Sequence, residues 1–270
     1  MNADELRASL LTGGLARIAD AVIAQSAESI RLRTTPIAEG QLPLGATKIG
    51  GQPDLAPGVA WPAWQGVPQS FIAQIALPDL APYAASRVLP TTGLLSFFSD
   101  AEQLAAGYDP GDRGGWLVTY TDAAPRALRR TPRPGGDSFA ACAVRFAPEV
   151  TLPMLDVLRA EFDLTDGEVE AYWALDRRVY PPDGSGQVIH RLLGHPQPIQ
   201  DDMRTTLQFA ASVPGPPAAG AADWRLLLQV DSDDAARMMW GDVGRLYYWL
   251  PAAALARRDF SAAWLILQCS

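Results

Sequence analysis

The sequence predicts an α+β fold, in which apolar strands form a sheet and a few helices pack separately from it. Three observations predict this class. Apolar runs of strand length recur along the chain, and helical spacing is confined to the N-terminus and the middle. The 270 residues also include 23 glycines and 23 prolines, which is too many for a helix bundle.

Helices are predicted first at the N-terminus. Residues 4–29 place Leu11, Leu15 and Val22 close to one helical face, with a break at Gly13-Gly14. In the middle, Thr165 or Asp166 is positioned to start a helix whose first turn is acidic. The remaining predicted helices cover 79–85, 152–162, 168–179, 203–211 and 252–257.

Strands are predicted from the short apolar runs. They cover 70–77, 93–98, 116–120, 139–146, 224–230, 244–250 and 260–269. A turn-rich stretch covers 36–68, and loops are predicted at 181–186 and 214–220 because glycine and proline interrupt regular structure there.

One pattern occurs twice along the chain: a Gly-x-Pro turn, an apolar strand with one glutamine, and a glycine that opens an aromatic strand. It comprises IGGQP, FIAQI and GLLSFF between 49 and 98, then LLGHP, LLLQV and GRLYYW between 192 and 249. We therefore expect two pseudo-symmetric sheet-containing repeats, roughly 36–125 and 188–270, forming one compact body after an N-terminal helical segment over 1–35. A cleft between the repeats is the expected ligand site.

The charge balance disfavours nucleic acid as a partner. The formal net charge is −8, and basic residues cluster only in short runs such as 126–133. An acidic balance fits a basic protein partner and equally fits ordinary solubility. No apolar run approaches the length of a membrane span, and Asp4 and Glu5 stand where a signal peptide needs positive charge, so we expect a cytoplasmic protein.

The sequence carries no motif for catalysis, for a metal or for a cofactor: HExxH, GxSxG, GxGxxG and GxxxxGK are absent. His190 and His195 are the only histidines, too few for a three-histidine zinc site. Cys142 and Cys269 lie in apolar runs, where free thiols are expected in a reducing compartment. No catalytic residue, metal ligand or cofactor is therefore predicted.

Polar residues inside apolar strands are the candidate binding groups. Gln74 and Gln229 each need hydrogen-bond partners there. Either each amide fixes a neighbouring loop to the sheet, or both line a shared cleft.

Charged residues near these glutamines complete the candidate set. Lys48 is the only lysine in a chain with 21 arginines. Either its position requires a compact ammonium group, or its presence there is due to chance. Asp231 and Asp242 belong to an acidic segment that either caps turns or holds a hard cation, although it lacks the central glycine and closing glutamate of a calcium loop. The tryptophans at 61, 64, 240 and 249 form either a recognition surface or part of the core.

The sequence resembles the YwqG-like family of bacterial proteins, whose function is unknown. The resemblance runs from about Lys48 to Cys269. It rests on KIGGQP at 48–53, WP at 61–62, AQI at 73–75, GLL at 93–95, HRLLGHP at 190–196, IQD at 199–201, LLQVDSD at 227–233, WGDVG at 240–244 and WLILQC at 264–269. It implies a compact α+β protein built from a duplicated unit, with no established activity. Some relatives are associated with toxin and immunity systems.

These observations support two hypotheses for the function, from different classes. The first is a non-catalytic protein-binding module of the immunity type. Its partner is a toxin that is a basic protein, and binding neutralises this toxin. The alternative is a small-molecule or metal-binding enzyme with its cleft between the repeats, lined by Lys48, Gln74, Gln229, Asp231 and Asp242. A scaffold whose motif residues serve only folding is the third possibility.

Overall fold

The computed structural model describes residues 3–179, 187–211 and 221–270 and confirms a mixed helix and sheet protein. Its helices in the described residues are α1 (Ala3–Thr12), α2 (Ala19–Gln25), α3 (Leu155–Glu161), α4 (Asp166–Val179), α5 (Met203–Ala210) and α6 (Ala252–Ala256). Its strands there are β1 (Ala27–Pro36), β2 (Lys48–Ile49), β3 (Asp54–Leu55), β4 (Ala63–Trp64), β5 (Val67–Pro68), β6 (Ser70–Ala76), β7 (Leu94–Ser99), β8 (Trp116–Thr121), β9 (Arg129–Arg130), β10 (Cys142–Thr151), β11 (His190–Leu192), β12 (Trp224–Asp231), β13 (Arg245–Pro251) and β14 (Trp264–Gln268).

One large antiparallel sheet dominates the described residues. Its ten strands run in the order β14-β13-β12-β11-β1-β10-β2-β6-β7-β8. The sheet is nearly closed, since its two edge strands approach each other. The rings of Trp116 on β8 and Trp264 on β14 lie 4.8 Å apart, and Trp116 Nε1 donates to the carbonyl of Ala263 at 2.9 Å.

The main hydrophobic core lies inside this curved sheet. Phe97 on β7 and Tyr248 on β13 belong to opposite ends of the strand order, yet their rings are 5.1 Å apart. The Tyr248 hydroxyl donates to the carbonyl of Phe98 at 3.1 Å, which satisfies the polar tip of a fully buried ring. The sheet thus encloses its own core.

A second, smaller core joins the N-terminal helices to α3 and α4. Leu6, Leu10 and Val22 pack there with Leu158 and Tyr172. The start of α4 confirms the prediction of an acidic first turn. Glu168 accepts from the backbone N–H of Thr165, the Glu168 N–H donates to the Thr165 hydroxyl, and Arg17 adds a salt bridge to Glu168 at 2.6 Å.

The N-terminal prediction is partly wrong. The break at Gly13-Gly14 is confirmed, but the helical structure ends at Gln25 and residues 27–36 form β1. This strand pairs with both β10 and β11 and therefore lies in the middle of the sheet. The alternation of buried Ile30 and Leu32 with the arginines between and after them is a strand pattern, which the helical spacing upstream obscured.

Most other predicted elements are confirmed with shifts of a few residues at their ends. The predicted helix over 79–85 falls on 3₁₀ turns, residues 139–141 precede β10, and residues 260–262 of the last predicted strand form a 3₁₀ turn before β14. The short strands that the sequence did not predict are β2, β3, β4, β5, β9 and β11. The predicted loop at 214–220 lies outside the described residues, as does 181–186. None of the described helices is both long enough and apolar enough to cross a membrane.

Candidate functional site

The amide of Gln74 fixes a neighbouring loop to the sheet. Gln74 is fully buried on β6, opposite Lys48 on β2. Its Oε1 accepts from the backbone N–H of Asp54 at 2.9 Å, and its Nε2 donates to the carbonyl of Ala46 at 2.7 Å and to Asp54 Oδ2 at 2.8 Å. The first of the two interpretations of this glutamine is therefore confirmed.

Lys48 lies in a cluster of two cations and two carboxylates, of which Lys48 and Asp54 are buried and Glu39 and Arg130 are partly exposed. Its ammonium is fully buried, 2.8 Å from Glu39 Oε1 and 3.6 Å from Asp54 Oδ2. Arg130 closes the cluster, with Nε 3.0 Å from Asp54 Oδ1 and 3.1 Å from Glu39 Oε1. Gly51 permits the close packing: its φ is +74°, and a Cβ there would lie 2.0 Å from Glu39 Oε2.

Burial in this cluster shifts two pKa values. Burial lowers the pKa of Lys48, against the opposing effect of the hydrogen bond with Glu39. Burial also raises the pKa of Asp54, but the hydrogen bonds from Arg130 and Gln74 outweigh it and leave that pKa below its ordinary value. The cluster is thus an internal ion network whose partners are supplied by the chain itself.

Gln229 makes the corresponding contacts in the second half of the sheet. It is fully buried on β12, opposite Arg191 on β11. Its Oε1 accepts from the backbone N–H of Gln197 at 2.9 Å, and its Nε2 donates to the carbonyl of Ile189 at 2.9 Å. It too fixes a loop to the sheet.

The acidic segment after Gln229 forms internal bonds. Asp231 accepts from the backbone N–H of Ile189 at 2.8 Å and from Arg245 Nε at 2.9 Å. Asp233 Oδ2 lies 3.1 Å from His190 Nε2, and Asp233 Oδ1 accepts from the Ala235 N–H. These contacts favour the capping interpretation of the segment. Among the described residues, no group of three or more His, Cys, Asp or Glu is placed to hold a metal ion.

The five candidate residues do not converge on one place. Lys48 and Gln74 share one network, and Gln229 and Asp231 lie in another. Four strands lie between β6 and β12 in the strand order. Asp242 is exposed. The first four are buried and bound to the chain itself.

Asp242 belongs to an exposed surface made by two loops, which sequence patterns did not reveal. We call it the acidic loop surface and define it by Glu102, Leu104, Met239, Asp242 and Val243. Its three apolar side chains are 66%, 47% and 45% exposed. Its two carboxylates are also exposed.

Hydrogen bonds hold the two loops of this surface together. Gln103 Nε2 donates to the carbonyl of Met239 at 2.9 Å, and Gln103 Oε1 accepts from the Gly241 N–H at 2.8 Å. Within the first loop, Asp100 Oδ2 accepts from the N–H of Leu104 at 2.6 Å. Within the second, Ser232 donates to the carbonyl of Gly244. The exposed apolar groups therefore stand on a braced backbone.

The tryptophan recognition surface is not formed. Trp240 and Trp249 are 1% and 2% exposed, and Trp61 and Trp64 are half-buried. Trp61 packs edge-on against Phe98 and donates from Nε1 to the carbonyl of Gln69 at 2.9 Å. Of the two interpretations of these tryptophans, the structure therefore favours the core: Trp240 and Trp249 are buried in it, and Trp61 packs against buried Phe98.

One further titratable group stands out in the structure. Asp176 on α4 lines a cavity of about 890 Å³ together with Tyr172 and Arg245. Burial raises its pKa to about 6, with a smaller opposing effect from Arg191. Its carboxyl makes no hydrogen bond or ion pair with the described residues, and no sequence motif signals it.

The fold and these contacts define the class of this protein. It is an α+β protein with a nearly closed antiparallel sheet and with polar networks around the glutamines of β6 and β12. The chain belongs to the family described as a domain of unknown function, DUF1963, whose model matches residues 47–269. No curated protein matches the chain.

Proposed function

We propose that this protein is a non-catalytic binding module that captures a basic protein through the acidic loop surface. The observation that carries the proposal is the set of exposed apolar side chains at Leu104, Met239 and Val243, flanked by the carboxylates of Glu102 and Asp242. Apolar groups on a preorganised backbone bind with little loss of conformational entropy. The carboxylates favour a cationic partner.

The charge of the surrounding loop and the charge of the whole chain support this assignment. The loop segment 231–244 adds exposed Asp234 against the exposed cation Arg237, so the surface stays net negative. The whole chain carries a net charge of −8, which favours the approach of a basic protein. The resemblance to the YwqG-like family suggests a toxin as the captured protein, and the role is then that of an immunity protein. A cytoplasmic location and the exclusion of nucleic acid stay predictions from composition.

The buried networks disfavour the enzyme alternative. That alternative places Lys48, Gln74, Gln229 and Asp231 around a substrate. Their polar atoms bind the backbone and side chains of the chain itself, and all four are buried. A substrate would have to replace contacts that fix two loops to the sheet.

Affinity capture with matched variants tests the proposal. The tagged full-length protein is used on lysate of its native host at low and high salt. We expect one stoichiometric basic protein, retained by Val59→Asp and lost with Leu104→Asp or Asp242→Lys. Val59 is 49% exposed outside the acidic loop surface and supplies the control. Rising salt should weaken capture because exposed charges are screened. Capture that is absent, or equal for all variants, would overturn the proposal.

We also infer that the sheet is built from two copies of one unit. Ala46, Lys48 and Asp54 have the same sequence spacing as Ile189, Arg191 and Gln197, and each triplet is bridged by one strand glutamine. The residues at 50 and 51 have φ of +67° and +74°, and those at 193 and 194 have +62° and +74°.

The strand order further supports the duplication. Reading outward from β1 and β10, both halves present a short strand, then the glutamine strand, then two more strands. A register shift precedes each glutamine by the same number of residues. Superposition of the two units tests the inference, and strand paths that diverge beyond β6 and β12 would contradict it.

A further inference from the structure

A pocket of about 730 Å³ lies next to the first residues of strands β1 and β12 and the last residues of strand β13. Its walls include Leu193, Leu226 and Leu255, which are apolar and buried. Trp224 and Trp249 also line it, and they are 4% and 2% exposed. The pocket shares no lining residue with the acidic loop surface, so a ligand bound in it is independent of the proposed function.

The two pocket tryptophans differ from the other buried tryptophans in their hydrogen bonding. The indole N–H groups of Trp116, Trp240 and Trp264 each donate to a backbone carbonyl, at distances from 2.8 to 3.2 Å. Those of Trp224 and Trp249 are equally inaccessible to water but have no acceptor within the described residues. A buried donor without an acceptor is unfavourable, and both cases fall in one pocket.

We propose that this pocket binds an amphiphilic carboxylate, with its apolar body against the leucines and its oxygens accepting from Trp224 and Trp249 after a small rotation of the two indoles exposes their N–H groups to the pocket. An indole N–H can only donate, so the ligand must bring acceptors. An apolar wall with a few convergent polar groups is the usual form of a small-molecule site.

The pocket lining also includes a cation that can pair with a carboxylate. Arg204 and Arg225 line the pocket, against Glu28 as the acidic lining residue. Arg204 is held by Asp202 at 2.7 Å. Exposed Arg225 donates from Nη1 to the carbonyls of Ala222 and Trp224, and it is the cation that we expect to attract a carboxylate. His195 also lines the pocket, and burial lowers its pKa, so its ring is neutral at pH 7 and adds no charge.

Titration of the full chain with sodium decanoate tests the proposal, with decylamine as the probe of opposite charge. Calorimetry should give one decanoate per chain and no comparable binding of decylamine. In the ¹⁵N spectrum of the eight tryptophan indoles, decanoate should shift two resonances. They should be the two that disappear in Trp224→Phe and Trp249→Phe.

Substitutions in and beside the pocket complete the test. Trp224→Phe and Trp249→Phe should each weaken decanoate binding about tenfold while the circular dichroism spectrum stays native, because each removes one donor. Ala256→Trp places a large ring on the pocket wall and should abolish binding. Ala253→Trp is the control, since it is exposed on the same helix and does not line the pocket.

Each possible result supports or contradicts the proposal. Absence of decanoate binding, equal binding of decylamine, or full binding by Ala256→Trp would each overturn it. If the tryptophan variants fail to fold, the comparison of Ala256→Trp with Ala253→Trp still decides it.

Discussion

The space around Lys48 is suited to a lysine and not to an arginine. The Lys48 ammonium is fully buried between Glu39 and Asp54, next to the guanidinium of Arg130. A compact ammonium fits there, whereas a second guanidinium needs more volume and a different arrangement of donors. The geometry therefore favours a lysine over an arginine at this position.

Lys48→Arg should therefore destabilise the protein although it conserves the charge. We expect a loss of about 1–3 kcal/mol in the free energy of unfolding, from overpacking of a closed site. Urea denaturation measures it, with the exposed Arg257→Lys as the control. An unchanged stability of Lys48→Arg would show that the cluster has room to rearrange.

The tryptophans give a second comparison at this scale. Trp249→Phe and Trp264→Phe remove similar volumes from buried positions, but Trp264 Nε1 donates to the carbonyl of Gly107 at 2.8 Å and Trp249 Nε1 has no acceptor in the described chain. Trp264→Phe should cost about 1 kcal/mol more, because it also leaves a carbonyl unpaired. Equal losses in urea denaturation would contradict this interpretation of Trp249.

Asp176 predicts a pH dependence of stability. Its pKa is about 6 in the folded protein against an ordinary 3.8, so between these values the unfolded chain loses the proton first and folding becomes less favourable as pH rises. At pH 8, Asp176→Asn should be more stable than wild type by about 1–2 kcal/mol, after allowance for partial exposure. Below pH 4 the gain should vanish.

Denaturation curves at pH 4 and pH 8 measure this effect. Asp137→Asn is the control, since Asp137 is exposed. A loss of stability for Asp176→Asn that is the same at both pH values would indicate a structural role of the carboxylate in place of a burial penalty.

At the scale of elements, the two strand glutamines act as clamps between the sheet and its covering loops. Gln74→Leu leaves the N–H of Asp54 and the carbonyl of Ala46 without partners, and Gln229→Leu does the same to Gln197 and Ile189. We expect each substitution to cost about 2–4 kcal/mol, with similar values for the two.

Gln52→Leu controls for the loss of an amide, because the Gln52 side chain makes no hydrogen bond with the described residues. Thermal and urea unfolding provide the measurement. A small cost at one glutamine and a large cost at the other would argue against equivalent roles for the two clamps.

The long strands could be predicted because an apolar run of strand length carries its own signal. The strands β2 and β11 span two and three residues, too few for any periodicity, and their pairing is visible only in the folded sheet. The hydrogen bonding of Gln74 and Gln229 could be anticipated from burial alone. The acidic loop surface could not, since Gln103 joins segments 136 residues apart.

At the scale of the whole molecule, β1 connects the two halves of the sheet. It pairs with β11 on one side and β10 on the other, although it lies outside the region 47–269 that matches the family. The division of the chain at residue 35 remains a prediction. Its N-terminal part nevertheless contains nearly all of a central strand.

Truncation tests the role of this strand. A chain that starts at residue 37 loses β1 and should not unfold cooperatively, because two rows of backbone groups in the sheet lose their partners. A chain that starts at residue 26 loses only α1 and α2, and should keep the sheet at reduced stability. Circular dichroism melts compare the two, and a cooperative melt of the shorter chain would contradict the prediction.

The approach of β8 and β14 has a consequence for behaviour at high concentration. An open sheet offers two rows of free backbone groups, on which strands of other molecules can assemble. Here the Leu267 N–H on β14 donates to the carbonyl of Ala106, and the paired indole rings of Trp116 and Trp264 occupy the gap between the edges. The two edge strands, which are the parts of a sheet most prone to aggregation, thus cover each other. Separation of β8 from β14 would be the first step toward fibrils or domain-swapped dimers.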